Sequence, residues 1–246
     1  MKLGRCIAGL LSIFALANTS AQSIHLVTEP FPPLNMTITD STFGRNQKVT
    51  GFATDIVREV FNRSALENEL EITLYASWDR GFNKALTKPS YGIYSAFRTP
   101  EREQKFKWVG PLFKEDWIIL TNPESDIKIT NLEDLKKYRV GSFASDPISD
   151  YLKEKGIKVD TAQNDVVNVT KLKLKKIDVW ATSSLSGPYI AKRQNMKLTN
   201  VFTFHSNGLW LAMNKQTDDR TISQLNATLK QMQSRGEVQK IINEYK

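Results

Sequence analysis

Cysteine is all but missing from this chain: Cys6 is the single one in 246 residues. It stands ahead of the first apolar run, not at its end, so it does not read as a lipid-attachment cysteine. A disulfide framework is excluded. Histidine is nearly as scarce, with only His25 and His205. That leaves no nucleophile–histidine–acid set and no metal-ligand spacing, so neither a metal nor a cofactor is expected. Long apolar runs are lacking as well. The run from Ile7 to Ala17 is broken by Gly9 and Ser12. It falls well short of the roughly 20 residues a membrane-spanning helix needs. No internal repeat and no low-complexity linker interrupts the chain. A basic face interleaved with stacking aromatics is also absent, so nucleic acid is not an expected partner.

What is present begins at the N-terminus. Lys2 and Arg5 precede the apolar run, and Thr19, Ser20 and Ala21 supply small residues where a signal peptidase reads. Residues 1–21 are therefore expected to be a cleaved secretory signal peptide. Lys2 and Arg5 leave with it and take the formal net charge from +8 to +6. Hydrophobic content of 40% and 24% charged residues are ordinary globular values. The remaining positive surplus is scattered. Its densest stretch, Lys171 to Lys176, reads as a solvated helix face that keeps an exported protein soluble.

Strand-like and helix-like segments alternate along the chain. Ile24 to Thr28 is β-prone and is ended by Pro30, Pro32 and Pro33, which cannot donate to a ladder. Met36 to Val49 reads as an irregular polar loop. Gly51 and Phe52 open a helix carrying Ile56, Val57, Val60 and Phe61 at helical spacing. Strands are expected at Leu70 to Tyr75, Tyr91 to Phe97, Trp117 to Leu120, Tyr138 to Phe143, Ile177 to Ala181 and Leu209 to Met213. Trp108 to Pro111 reads as a turn. Thr99 and Pro100 have helix-start chemistry, and two amphipathic helices, Thr221 to Met232 and Val238 to Tyr245, close the chain. The alternation argues for an α/β fold with mostly parallel sheets flanked by helices.

Four stretches in fixed order carry a resemblance. They are Glu29 to Pro33, Gly51 to Asp55, Ser77 to Arg80, and Arg98 to Arg102 followed by Phe106 to Pro111. Asn131 to Leu135, Val140 with Gly141, and the helix pair around Gly236 extend it over the mature chain. The sequence resembles the periplasmic solute-binding proteins of family 3. The resemblance implies a monomeric two-lobed clamp in the periplasm that closes on a small-molecule ligand by a hinge motion. Its partner would be the membrane permease of an ABC importer or a membrane receptor. Lobe 1 is expected to hold residues 22–114 and 207–246, and lobe 2 residues 115–206. The chain would cross near Lys114 to Trp117 and again near His205 to Gly208.

The resemblance also implies a set of ligand-binding residues. Arg102 would grip a ligand carboxylate through its guanidinium fork. Trp78 and Phe31 would stack on the ligand, and Tyr94 and Ser95 would end the strand lining the cleft, with Ser95 donating to a ligand oxygen. The chain departs from the pattern in three places. Phe97 replaces a serine or threonine. Ser145, Asp146 and Pro147 replace a Gly-Ser-Thr-type helix start. Ser183 stands where amino-acid binders place an aspartate for the ligand ammonium. Asp146 is either a replacement for that charge or a plain helix cap. Arg80 and Arg98 add positive charge near the same place, which points to a small carboxylate with a further anionic or polar group. The rival class is a dehydratase-type enzyme on the same fold, with Glu29, Glu115 or Asp116 as its acid.

Overall fold

Two strands of 16 residues, Phe106–Thr121 and Thr199–Asn214, run antiparallel through the whole molecule. The computed structural model describes residues 23–66, 70–144 and 146–245. The expected leader and Ser145 lie outside the described residues. In chain order the elements are β1 (Ile24–Thr28), β2 (Met36–Thr37), β3 (Gly44–Arg45), β4 (Val49–Thr50), α1 (Phe52–Arg63), β5 (Leu70–Leu74), α2 (Trp78–Thr87) and β6 (Tyr91–Phe97). There follow α3 (Pro100–Glu103), β7 (Phe106–Thr121), β8 (Val140–Phe143), α4 (Pro147–Glu154), β9 (Val159–Ala162), α5 (Asp165–Lys173) and β10 (Val179–Ser183). The chain ends with α6 (Ser186–Arg193), β11 (Thr199–Asn214), α7 (Asp219–Ser234) and α8 (Glu237–Asn243).

Nine strands form one sheet in the order β3-β5-β1-β6-β11-β7-β10-β8-β9. Pairing is parallel in each wing, β5-β1-β6 on one side and β10-β8-β9 on the other. The two long strands and the edge strand β3 pair antiparallel. In the middle, Trp117 to Lys114 face His205 to Gly208 pair by pair. The buried apolar residues divide accordingly. One pair of clusters draws on residues between Ile24 and Phe113 and between Leu209 and Ile242. The other draws on residues between Trp117 and Ala191. Phe97 packs against both sides and meets Trp117 edge-on, with ring centroids 5.8 Å apart.

The long strands correct two expectations. Trp108 to Pro111 is not a turn, and the last strand begins ten residues before Leu209. The ladder skips from Leu209↔Phe113 to Leu211↔Val109, so a bulge absorbs Gly110 and Pro111 and the strand continues past them. Gly110 takes φ +135°, open to glycine alone, and a Cβ there would lie 2.8 Å from the Leu112 amide. The loop from Met36 is also less irregular than its polarity suggests, since β2 and β4 pair within it.

Candidate ligand-binding site

Gly51 fixes the first loop against α1. Its φ is +114°, and a Cβ would sit 2.3 Å from the Leu34 carbonyl oxygen. That approach lets the Pro33 and Leu34 carbonyls accept from the Phe52 and Ala53 amides, 3.1 and 3.0 Å away. The orphan amides at the start of α1 are thus satisfied by backbone rather than by a capping side chain. The same loop is tied to β6. Ser95 donates to Asn35 Oδ1 at 2.5 Å, and Asn35 Nδ2 donates to the Glu29 carbonyl at 3.0 Å. Ser95 takes φ +58° at the irregularity where β6 meets β11, a conformation that costs energy for a non-glycine residue.

Tyr94 does not line a cleft. It has no exposed surface, it belongs to the core under α1, and its hydroxyl pairs with Thr54 Oγ1 at 2.9 Å. Burial pushes its phenol well above the ordinary range. Phe31 is half-buried and packs on the same core.

Arg102 and Trp78 do come together. The Arg102 guanidinium carbon lies 5.5 Å from the Trp78 ring centroid and 5.1 Å from that of Phe82. Its Nη1 donates to the Phe97 carbonyl at 3.3 Å. Among the described residues no carboxylate pairs with it, and burial lowers its pKa. Arg98 and Arg80 are directed elsewhere. Arg98 grips Glu103 through two bonds, 2.6 and 2.5 Å, and lies over Trp210 at 4.6 Å. Arg80 is exposed and rests on the Tyr75 ring at 4.8 Å. The expected cluster of three arginines is therefore reduced to one, because each of the other two has a nearer partner.

Carboxyl groups occupy the rest of the crevice. Asp146 caps α4, accepting from the Ile148 amide at 2.8 Å, and the charge of Glu29, from the other side of the crossing strands, helps to raise its pKa. This geometry is that of the helix cap. Ser183 is buried, and its Oγ accepts from the Leu185 and Ser186 amides at 3.1 and 3.2 Å, which starts α6. Glu115, on β7, is 1% exposed. The Ser183 hydroxyl faces it, but no contact to either carboxyl oxygen meets hydrogen-bonding distance and geometry. Burial pushes Glu115 up to about 8. Glu29 and Asp146 keep part of their surface, yet the crevice walls strip enough water to push each to about 7. Behind Asp146, Asp165 accepts from the Trp180 indole at 3.2 Å, and burial raises it to about 6.

The crevice is closed over by contacts that the sequence reading did not name. Ser186 Oγ donates to the Pro32 carbonyl at 2.6 Å, the Tyr189 hydroxyl approaches the Met36 sulfur at 3.6 Å, and Arg193 pairs with Asp40. Ser186, Tyr189 and Arg193 fall at helical spacing on α6, so one face of that helix meets the first loop. That spacing was the only signal available for them.

A mixed sheet spanning two separate cores, with a crevice between them at a pair of crossing strands, defines a two-lobed periplasmic-binding-protein fold. The chain belongs to the bacterial extracellular solute-binding proteins, family 3, whose model matches residues 24–246. No sequence among curated proteins matches it. Among solved structures it is similar to ArtJ, the arginine-, lysine-, histidine-binding protein from Geobacillus stearothermophilus, at 19% identity and TM-score 0.70, covering 91% of this chain and 95% of that one. It is similar to a histidine kinase sensor domain at 16% identity and TM-score 0.74, with coverage of 91% and 95%. It is also similar to the ancestral amino-acid-binding protein AncCDT-1, a precursor of cyclohexadienyl dehydratase, at 21% identity and TM-score 0.71, with coverage of 91% and 95%. These likenesses establish the fold. Family members are periplasmic or extracellular, and among the described residues no helix is long and apolar enough to cross a membrane.

Proposed function

We propose that this protein is exported by its N-terminal leader and captures a small carboxylate or amino-acid-like ligand between two lobes for delivery to an ABC-type importer. Lobe 1 comprises residues 22–114 and 207–246, and lobe 2 residues 115–206. One observation carries the reading. Groups on opposite sides of the crossing strands meet, Ser186 with the Pro32 carbonyl and Arg193 with Asp40, and the proposed crevice lies beneath these contacts, near Glu29, Glu115, Asp146, Arg102 and Trp78. A hinge at the crossing strands exposes these groups when the lobes part and surrounds a ligand when they meet.

The test is mass spectrometry of small molecules released when the freshly purified protein is denatured, joined to a thermal-shift screen. A true ligand at 100 times its dissociation constant stabilises the protein by about 2.7 kcal/mol. No released compound and no shift with any amino acid or small carboxylate overturns the reading. Membrane pull-down separates a permease partner from a receptor.

A second reading has one observation in its favour. Glu115, buried and pushed up to about 8, is protonated at neutral pH and so is available as an acid within the crevice. A catalyst would return its ligand altered, whereas a binding protein returns it unchanged.

A further inference from the structure

We infer that the crevice recognises a small organic cation, an amine or guanidine of net positive charge, with Glu115 as its main counter-charge. This names the ligand class for the proposed solute-binding site and rests on that reading.

The geometry places the charge on an unexpected element. Glu115 and Trp117 stand two apart on β7, opposite Asn207 and His205 with no break in register between them. Their side chains therefore share one face. Ser183 lies opposite Trp117 in the neighbouring ladder and shares that face too. Ser183 is engaged as an acceptor for two amides at the start of α6, so it offers the crevice a hydroxyl and no charge. The negative charge lies on the crossing strand instead. Glu115 is almost fully buried with both oxygens unpartnered. A carboxyl sealed from water without a partner is costly, and a bound cation removes that cost.

Glu29 follows β1 and Asp146 begins α4 on the other side of the crossing strands, and the charge of Glu29 is felt at Asp146. The strongest charge effects on Glu29, Glu115 and Asp146 come from other acids: Asp79 on the first, Asp146 and Asp116 on the second, and Asp165, Glu29 and Asp150 on the third. Among the described residues no lysine, arginine or histidine forms an ion pair with any of the three. Burial and mutual repulsion hold all three above the ordinary carboxyl range, as expected of groups kept neutral until a cation arrives. Arg102 stands apart. The carboxyl acting on it is Glu101, and its guanidinium rests on the Trp78 ring. An anionic group is thus accommodated at one end only, and a dicarboxylate would bring its second charge against three carboxyls.

The experiment is calorimetry at pH 7 in two buffers of different protonation heat. The probes are arginine and lysine, then agmatine and cadaverine, which lack the carboxylate, then glutamine, glutamate and succinate. Binding of at least one cationic probe, with release of about one proton as a crevice carboxyl ionises, supports the inference. Glu115→Gln, which keeps shape and hydrogen-bonding atoms, should weaken that probe at least tenfold and cut the proton release. Carboxylate-bearing and carboxylate-free cations separate a basic amino acid from a plain diamine. Binding of glutamate, succinate or glutamine in preference to every cation overturns the inference and leaves the solute-binding reading standing. If no probe binds, the charge of the compound released on denaturation decides: positive supports, neutral or negative overturns. No binding and no released compound overturns both readings.

Discussion

Arg193 on α6 holds both carboxyl oxygens of Asp40 in the first loop, at 3.1 and 2.8 Å, and so ties the two sides of the crevice at its rim. The fork is bidentate, but both side chains are about half-exposed. Such pairs contribute about 0.2–1 kcal/mol and weaken with salt. Arg193→Ala should therefore lower ligand affinity by no more than about fivefold, chiefly through faster release. Stopped-flow release rates at low and high salt check this. An unchanged rate at low salt removes the latch role, and a hundredfold loss would assign Arg193 a direct ligand contact.

Tyr94 gives a contrast between core and site. Its hydroxyl pairs with Thr54, which also donates to the Thr50 carbonyl at 3.2 Å and so keeps a partner when the phenol is lost. Tyr94→Phe removes one buried hydrogen bond, worth about 1 kcal/mol. For a chain of this size the melting temperature should fall by about 2–4 °C, with ligand affinity unchanged. A selective loss of affinity would return Tyr94 to the binding surface.

The fold was legible in the sequence because its signals are local. Alternating strand and helix patterns, the Gly51 entry to α1 and the Pro100 start of α3 each depend on a few neighbouring residues. The long strands were not legible, since Gly110 and Pro111 read as a break and only the bulge opposite Trp210 shows how the ladder absorbs them. The site divides in the same way. Arg102 beside Trp78 follows from short motifs. Which of three arginines remains available depends on partners such as Glu103 and Tyr75, whose proximity no spacing in the sequence reveals. Glu115 was visible as an acid beside the crossing, but its burial without a partner is a property of packing.

Arg102 is a half-buried cation resting on two aromatic rings and one carbonyl, with no carboxylate pair among the described residues. That environment suits an incoming carboxylate. Arg102→Ala should weaken a carboxylate-bearing ligand at least tenfold by calorimetry, and Arg102→Lys should restore only part of the loss because the planar fork is gone. A ligand without a carboxylate should lose far less. Equal losses for both kinds of ligand would mean that Arg102 supports the fold around Trp78 rather than contacting the ligand.

The unliganded protein should lose stability as pH rises through neutrality. Burial lifts Glu29 and Glu115 from 4.5 to about 7 and about 8, and Asp146 from 3.8 to about 7. The folded state therefore binds more protons than the unfolded chain between about pH 4 and pH 8, and unfolding free energy falls with pH across that window. The contribution is fully present below the unfolded values, declines as pH rises, and is gone above the folded ones. Glu115 dominates because it is sealed, whereas solvent access to Glu29 and Asp146 screens theirs. One pKa unit corresponds to about 1.4 kcal/mol, so the melting temperature should drop by about 5–10 °C between pH 6 and pH 8.5. Glu115→Gln, neutral at every pH, should remove most of that slope when both proteins are melted across the range. A variant that retains the full slope would show that the stability loss arises from groups outside the crevice.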